Sequence, residues 1–123
     1  MADLHILLVD DEEELVSTLA DRLEFRGYHA DAVLSGADAI KKIGQKSYNV
    51  AVIDVKMPEI NGIEVMKMML KLQPDIKIIL MTGHGSTEEG ERGMAEGAFD
   101  YMVKPINIDL LTDKIKTAVG IRE

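Results

Sequence analysis

Short apolar runs alternate along the chain with longer stretches whose apolar positions recur at helical spacing. Residues 4–9 read as a strand, because the run is short, rich in aliphatic residues and ended by Asp10 and Asp11. A run without polar alternation fits a strand covered on both faces. Residues 11–26 predict a helix with Leu15, Val16, Leu19, Ala20 and Leu23 on one face. Acidic residues crowd its start, where the positive end of the helix dipole favours them, and Gly27 is placed to end it. Residues 28–33 alternate weakly and predict a half-exposed strand. Ser35 is placed to cap a second helix, with Ala37, Ile40 and Ile43 facing inward and Gly44 near its end. Residues 49–53 predict another buried strand. Residues 57–62 form a loop punctuated by Pro58 and Gly62. A third helix follows over 63–72, with Ile63, Met66, Met69 and Leu70 inside. Residues 76–81 predict a fourth strand, and 82–86 a Gly-rich turn. The helix over 87–96 is weaker, since Gly90 and Gly93 each cost up to about 1 kcal/mol against Ala. A fifth strand covers 98–103. Asn107 caps a last helix whose Leu111, Ile115 and Ala118 face inward.

Five such strand–helix units imply an α/β fold, a parallel sheet with helices on both faces. The 123 residues are expected to form a single domain, 1–123, without repeats or linkers. In such sheets the functional crevice lies beyond the carboxyl ends of the strands. The residues just after the strands are Asp10, Asp11 and Glu12, then Asp54, then Thr82, then Lys104 followed by Pro105. Clustered carboxylates repel and raise one another's pKa unless a cation intervenes. Oxygen ligands without His or Cys suit Mg2+ or Mn2+. Lys104 adds a movable positive charge for an anion, and Thr82 a hydroxyl that can donate to a phosphoryl oxygen. Asp54 then reads as a carboxylate nucleophile that forms an acyl phosphate.

Composition narrows the field. The chain has no cysteine, which removes disulfides, thiolate metal sites and Cys nucleophiles. A net charge of −8 argues against nucleic acid or an anionic membrane as direct ligand. The longest apolar runs fall far short of the roughly 20 residues of a membrane span. The N-terminus lacks the basic start and apolar core of a signal peptide, so a cytoplasmic location is expected.

The strand-end residues resemble the receiver domains of two-component response regulators over essentially the whole chain. Leu8-Val9-Asp10-Asp11 is similar to the acidic pair, Val52-Ile53-Asp54 through Met57-Pro58 and Gly62 to the phosphoacceptor motif, and Met81-Thr82-Gly83 to the switch threonine. Tyr101 to Pro105 resembles the switch aromatic, the active-site lysine and a cis Lys104–Pro105 peptide. The resemblance implies a flavodoxin-like doubly wound (βα)5 fold in strand order 2-1-3-4-5. It implies that Asp54 accepts a phosphoryl group from a histidine kinase or a histidine phosphotransfer protein. Mg2+ would be held by Asp10, Asp11, Asp54 and the Lys56 carbonyl, with Asp11 the more direct ligand. Thr82 and Lys104 would bind the phosphoryl oxygens, and Tyr101 would follow Thr82. The switched face would comprise the fourth helix, fifth strand and fifth helix, including Met94, Ala98, Tyr101 and Ile106. It would act on an output domain or a downstream protein, or form a phosphorylation-dependent homodimer. Lys56 and His84, each two positions after a site residue, would tune phosphoryl lifetime. On this reading the chain is no turnover enzyme but catalyses its own phosphorylation and autodephosphorylation, as a stand-alone receiver or a piece of a longer regulator.

Two other classes compete. Haloacid-dehalogenase-type phosphatases also use an Asp nucleophile with Mg2+, but place it after the first strand with a second Asp two residues on; here that second position is Lys56. A nucleotide-binding module is disfavoured because Asp10, Asp11 and Glu12 would repel phosphates. A phosphorylation-independent binding module would keep the fold and ignore Mg2+.

Overall fold

The computed structural model describes residues 3–83 and 87–121. Five strands and five helices alternate: β1 (His5–Val9), α1 (Glu13–Phe25), β2 (His29–Val33), α2 (Gly36–Gln45), β3 (Val50–Asp54), α3 (Gly62–Leu72), β4 (Lys77–Thr82), α4 (Thr87–Ala95), β5 (Asp100–Val103) and α5 (Ile108–Ala118). All strand pairs are parallel, in the order β2-β1-β3-β4-β5. This is the doubly wound sheet that the strand-end motifs implied.

The unbroken apolar runs of β1, β3 and β4 follow from burial on both faces. Leu7, Val9, Ala51, Ile53, Ile78 and Leu80 join one core layer with Ile43 of α2 and Ile63, Met66 and Met69 of α3. Their alternates Ile6, Leu8, Val50, Val52, Ile79 and Met81 join the other, with Val16, Leu19 and Leu23 of α1 and Leu111 and Ile115 of α5. The two-residue period of a strand makes this division. Each large side chain so buried contributes roughly 1.5–3 kcal/mol of transfer free energy. The edge strand β2 is partly exposed, as its weak alternation predicts. No helix among the described residues is long and apolar enough to cross a membrane.

Two local expectations need correction. α1 starts at Glu13 rather than 11, because Asp10 Oδ1 accepts the Glu12 amide at 2.9 Å and turns the chain before the helix can begin. In α2 the buried positions are Gly36, Ala39 and Ile43, while Ala37 is exposed. A Cβ on Gly36 would stand 2.6 Å from Ile60 Cγ2 and 2.7 Å from Val65 Cγ2, so its absence lets α2 close on α3 along that face. The predicted caps form: Ser35 accepts from the Asp38 amide and Asn107 from the Leu110 amide.

The register positions the site. Val9 pairs with Ile53, Asp54 with Met81, and Thr82 with Val103. Along this register β3 ends one residue beyond β1, β4 one residue beyond β3, and β5 level with β4, so the four ends lie close together. Chain direction across the sheet reverses between β1 and β3, which opens a crevice there.

Candidate functional site

Asp10 follows β1 directly and is wholly buried, and Asp54 ends β3 at 5% exposure. Asp11 is exposed at the mouth. Carboxylate oxygens of Asp10, Asp11 and Asp54 lie within 4.8 Å of one another. Lys104 enters from the end of β5, where its amide donates to the Thr82 carbonyl at 2.9 Å. Its Nζ lies 2.8 Å from Asp10 Oδ2, 2.9 Å from Glu12 Oε1 and 3.6 Å from Asp54 Oδ1.

Two buried carboxylates side by side are costly when ionised. Burial first, and then the Asp10 charge, push Asp54 up to about 6; Lys104 and the Lys56 amide, which donates to the Asp54 carboxylate, oppose the rise. Burial likewise raises Asp10 against the pull of Lys104. Burial works to lower Lys104, but Asp10 and Glu12 outweigh it and hold the ammonium above its ordinary value. Asp10 Oδ2 is buried, and its close partner is the Lys104 ammonium at 2.8 Å. Three carboxylates offering only oxygen donors within 4.8 Å of one another fit a hard divalent cation such as Mg2+.

Thr82 is fully buried at the end of β4, its hydroxyl donating to the Met102 carbonyl at 3.4 Å. Tyr101 is half-buried and packs from β5 against the α3 core layer, beside α4. The Lys104–Pro105 peptide is cis. Lys56 is exposed. His84 lies outside the described residues. The structure thus gathers Asp10, Asp11, Asp54 and Lys104 into one cluster, with Thr82 one residue past the Asp54 partner Met81 on the neighbouring strand. Of the expected switch face, Met94 is exposed, but Ala98 is buried in the core and Ile106 packs toward the α1–α5 layer. Ala98 is therefore a poor surface element, whereas Ile106 is half-buried like Tyr101.

Three contributors are less evident in the sequence. Glu12 holds Lys104 from the mouth, and only its place beside the acidic pair hints at it. Gly62 reads as loop punctuation, yet a Cβ there would strike the Asp54 carbonyl oxygen. The Gly62 amide donates to the Val55 carbonyl at 2.8 Å, which folds the 55–62 loop onto the end of β3. Gly90, a weak spot for helix propensity, abuts Tyr101.

A family model for the response regulator receiver domain matches residues 6–116. The chain belongs to this family. As a receiver domain of the two-component type it is built to accept a phosphoryl group, and receivers generally use Mg2+. It is 33% identical over 117 residues to the transcriptional regulatory protein ZraR of Salmonella typhimurium, covering 95% of this chain and 26% of that protein. A CheY-like receiver structure from Methanospirillum hungatei matches with a TM-score of 0.90 at 32% identity, covering 97% of this receiver and 95% of that chain. The beryllofluoride-activated NtrC4 receiver domain dimer matches with a TM-score of 0.87 at 34% identity, covering 94% and 96%. The receiver spans about a quarter of the length of the first curated relatives it matches. The match to the receiver family over residues 6–116 is what disfavours the phosphatase alternative.

Proposed function

We propose that residues 1–123 form one phospho-switch with Asp54 as the acceptor. One observation carries this reading: a nearly buried carboxylate at the end of β3 faces the Lys104 ammonium at 3.6 Å inside an acidic cluster. An Asp54 carboxylate oxygen attacks the phosphorus of a phosphohistidine on a kinase or phosphotransfer protein. A P–O bond forms, the P–N bond breaks, and the imidazole nitrogen leaves with the electron pair and takes up a proton. Asp10, Asp11, Asp54 and the Lys56 carbonyl would hold Mg2+, which neutralises charge on the acceptor and the phosphoryl oxygens. Lys104 swings from its contacts with Asp10 and Glu12 to a phosphoryl oxygen. Thr82 turns its hydroxyl from Met102 toward the same group.

Thr82 and Tyr101 then move together, Tyr101 lying inward, and the α4–β5–α5 face changes shape. The phosphoryl contacts bias this equilibrium only by their differential energy between the two states. Met94, Tyr101 and Ile106 are the surface elements of that face which an output region or downstream protein would read. A phosphorylation-dependent homodimer is supported by the 34% identical receiver solved as a dimer. Lys56 and His84, each two positions in sequence after a site residue, tune the lifetime of the acyl phosphate. We place the receiver in the cytoplasm, facing neither nucleic acid nor membrane directly.

The test is intact mass after incubation with acetyl phosphate and Mg2+. Gain of one phosphoryl group, absent in Asp54→Asn and with a chelator, supports the reading. No gain under any condition would make the chain a phosphorylation-independent binding module.

A further inference from the structure

α4 carries two glycines in nine residues, and both are buried. Replacing a helical Gly by Ala ordinarily stabilises, because Ala has less backbone freedom to lose. Position 90 is closed to that gain. A Cβ built on Gly90 would collide with Cγ, Cδ2 and Cε2 of the Tyr101 ring. A Cβ on Gly93 would collide with Leu80 Cδ1. The two obstacles differ in kind. Leu80 is a fully buried member of the core layer and has nowhere to go. Tyr101 is half-buried at the rim of that layer, so its ring can leave. Gly44 in α2 supplies the contrast, being exposed with nothing within 4 Å of a Cβ.

We propose that Gly90 is a positioning residue that forms the seat of the Tyr101 ring, its bare backbone deciding whether the ring can lie inward against α4. The functional part rests on the receiver reading above, in which the inward ring accompanies phosphorylation of Asp54. With a Cβ at position 90 the ring and the helix claim the same space. The ring then turns out to solvent, since the backbone of α4 is tied to β4 through Gly93 and Leu80. A penalty on the inward ring is, by linkage, a penalty on whichever state of Asp54 favours it.

The test combines thermal unfolding of four variants with fluorine NMR of fluorotyrosine-labelled protein. The chain has three tyrosines, and the buried Tyr28 and Tyr48 serve as fixed references. Gly44→Ala raises Tm. Gly90→Ala lowers it, and the loss disappears or reverses when Gly90→Ala is made on Tyr101→Ala. In Gly90→Ala the Tyr101 signal gains a solvent-isotope shift while the other two stay, and steady-state labelling by acetyl phosphate falls several-fold. A Gly90→Ala protein that gains Tm as Gly44→Ala does, or keeps the Tyr101 signal unmoved, overturns the seat. A loss of Tm that persists undiminished on Tyr101→Ala overturns it equally. If Gly90→Ala alone does not fold, a folded double variant supports the seat and an unfolded one overturns it. Failure of the wild type to label, with the reversal in Tm intact, would instead sink the receiver reading and leave the seat standing.

Discussion

Lys104 Nζ stops 3.6 Å short of Asp54 Oδ1 while it touches Asp10 Oδ2 at 2.8 Å. One ammonium thus serves two buried carboxylates, and it is held by the one that is not the proposed acceptor. Asp54 is thus left without a close ammonium contact, and on the proposed reading Lys104 stays within a short swing of the phosphorylated product. Removing that cation leaves carboxylates buried without their counter-charge. Lys104→Met is expected to lose about 3 kcal/mol in urea unfolding at pH 7. The loss shrinks toward pH 5, below the value near 6 at which Asp54 takes up its proton. An equal loss at both pH values would contradict the pairing.

Asp54 titrates at about 6, pushed there by burial and by Asp10. Its folded pKa lies above its unfolded value near 4. Between those values the native state holds a proton that the unfolded chain has released, so stability falls as pH rises through this window. Asp54→Asn removes the fall. Without divalent cations it should gain about 1–3 kcal/mol at pH 7.5 and nothing at pH 4. Denaturant unfolding across that range checks both the size and the direction.

A divalent cation relieves the same repulsion by another route. Mg2+ at ten times its Kd should add ~1.4 kcal/mol to wild-type stability. Asp11→Asn and Asp54→Asn should blunt the gain in a thermal-shift titration. A flat wild-type titration would speak for a module that does not use the cluster.

Thr82 is buried, and its hydroxyl bond to the Met102 carbonyl is long at 3.4 Å. Thr82→Val should therefore cost only about 1 kcal/mol. Labelling of Asp54 by acetyl phosphate should persist, while the response of the Tyr101 fluorine signal to phosphorylation is lost. An unchanged Tyr101 response would uncouple the two residues.

The sheet was legible because strands covered on both faces have unbroken apolar runs, and the four strand-end residues follow those runs directly. Asp10 and Asp54 come level because Val9 pairs with Ile53, while Thr82 and Lys104 follow one and two residues further along the sheet. What the pattern misjudged depends on close approach rather than on hydrophobicity. Alanines at 37 and 39 offer α2 two equally apolar faces, and the contact of Gly36 with α3 selects one. Gly62 and Gly90 read as punctuation and weakness, since nothing local to them announces the Asp54 carbonyl or the Tyr101 ring. Glu12 reads as one more acid at a helix start until Lys104 is brought to it from 92 residues away.

The most direct measurement locates the phosphoryl group. Protein labelled with acetyl phosphate and Mg2+ is reduced with borohydride, which converts an aspartyl phosphate to homoserine, and then digested for peptide mass analysis. The account predicts homoserine at position 54 alone. Homoserine at position 10 or 11, or labelled protein with none at 54, would contradict it.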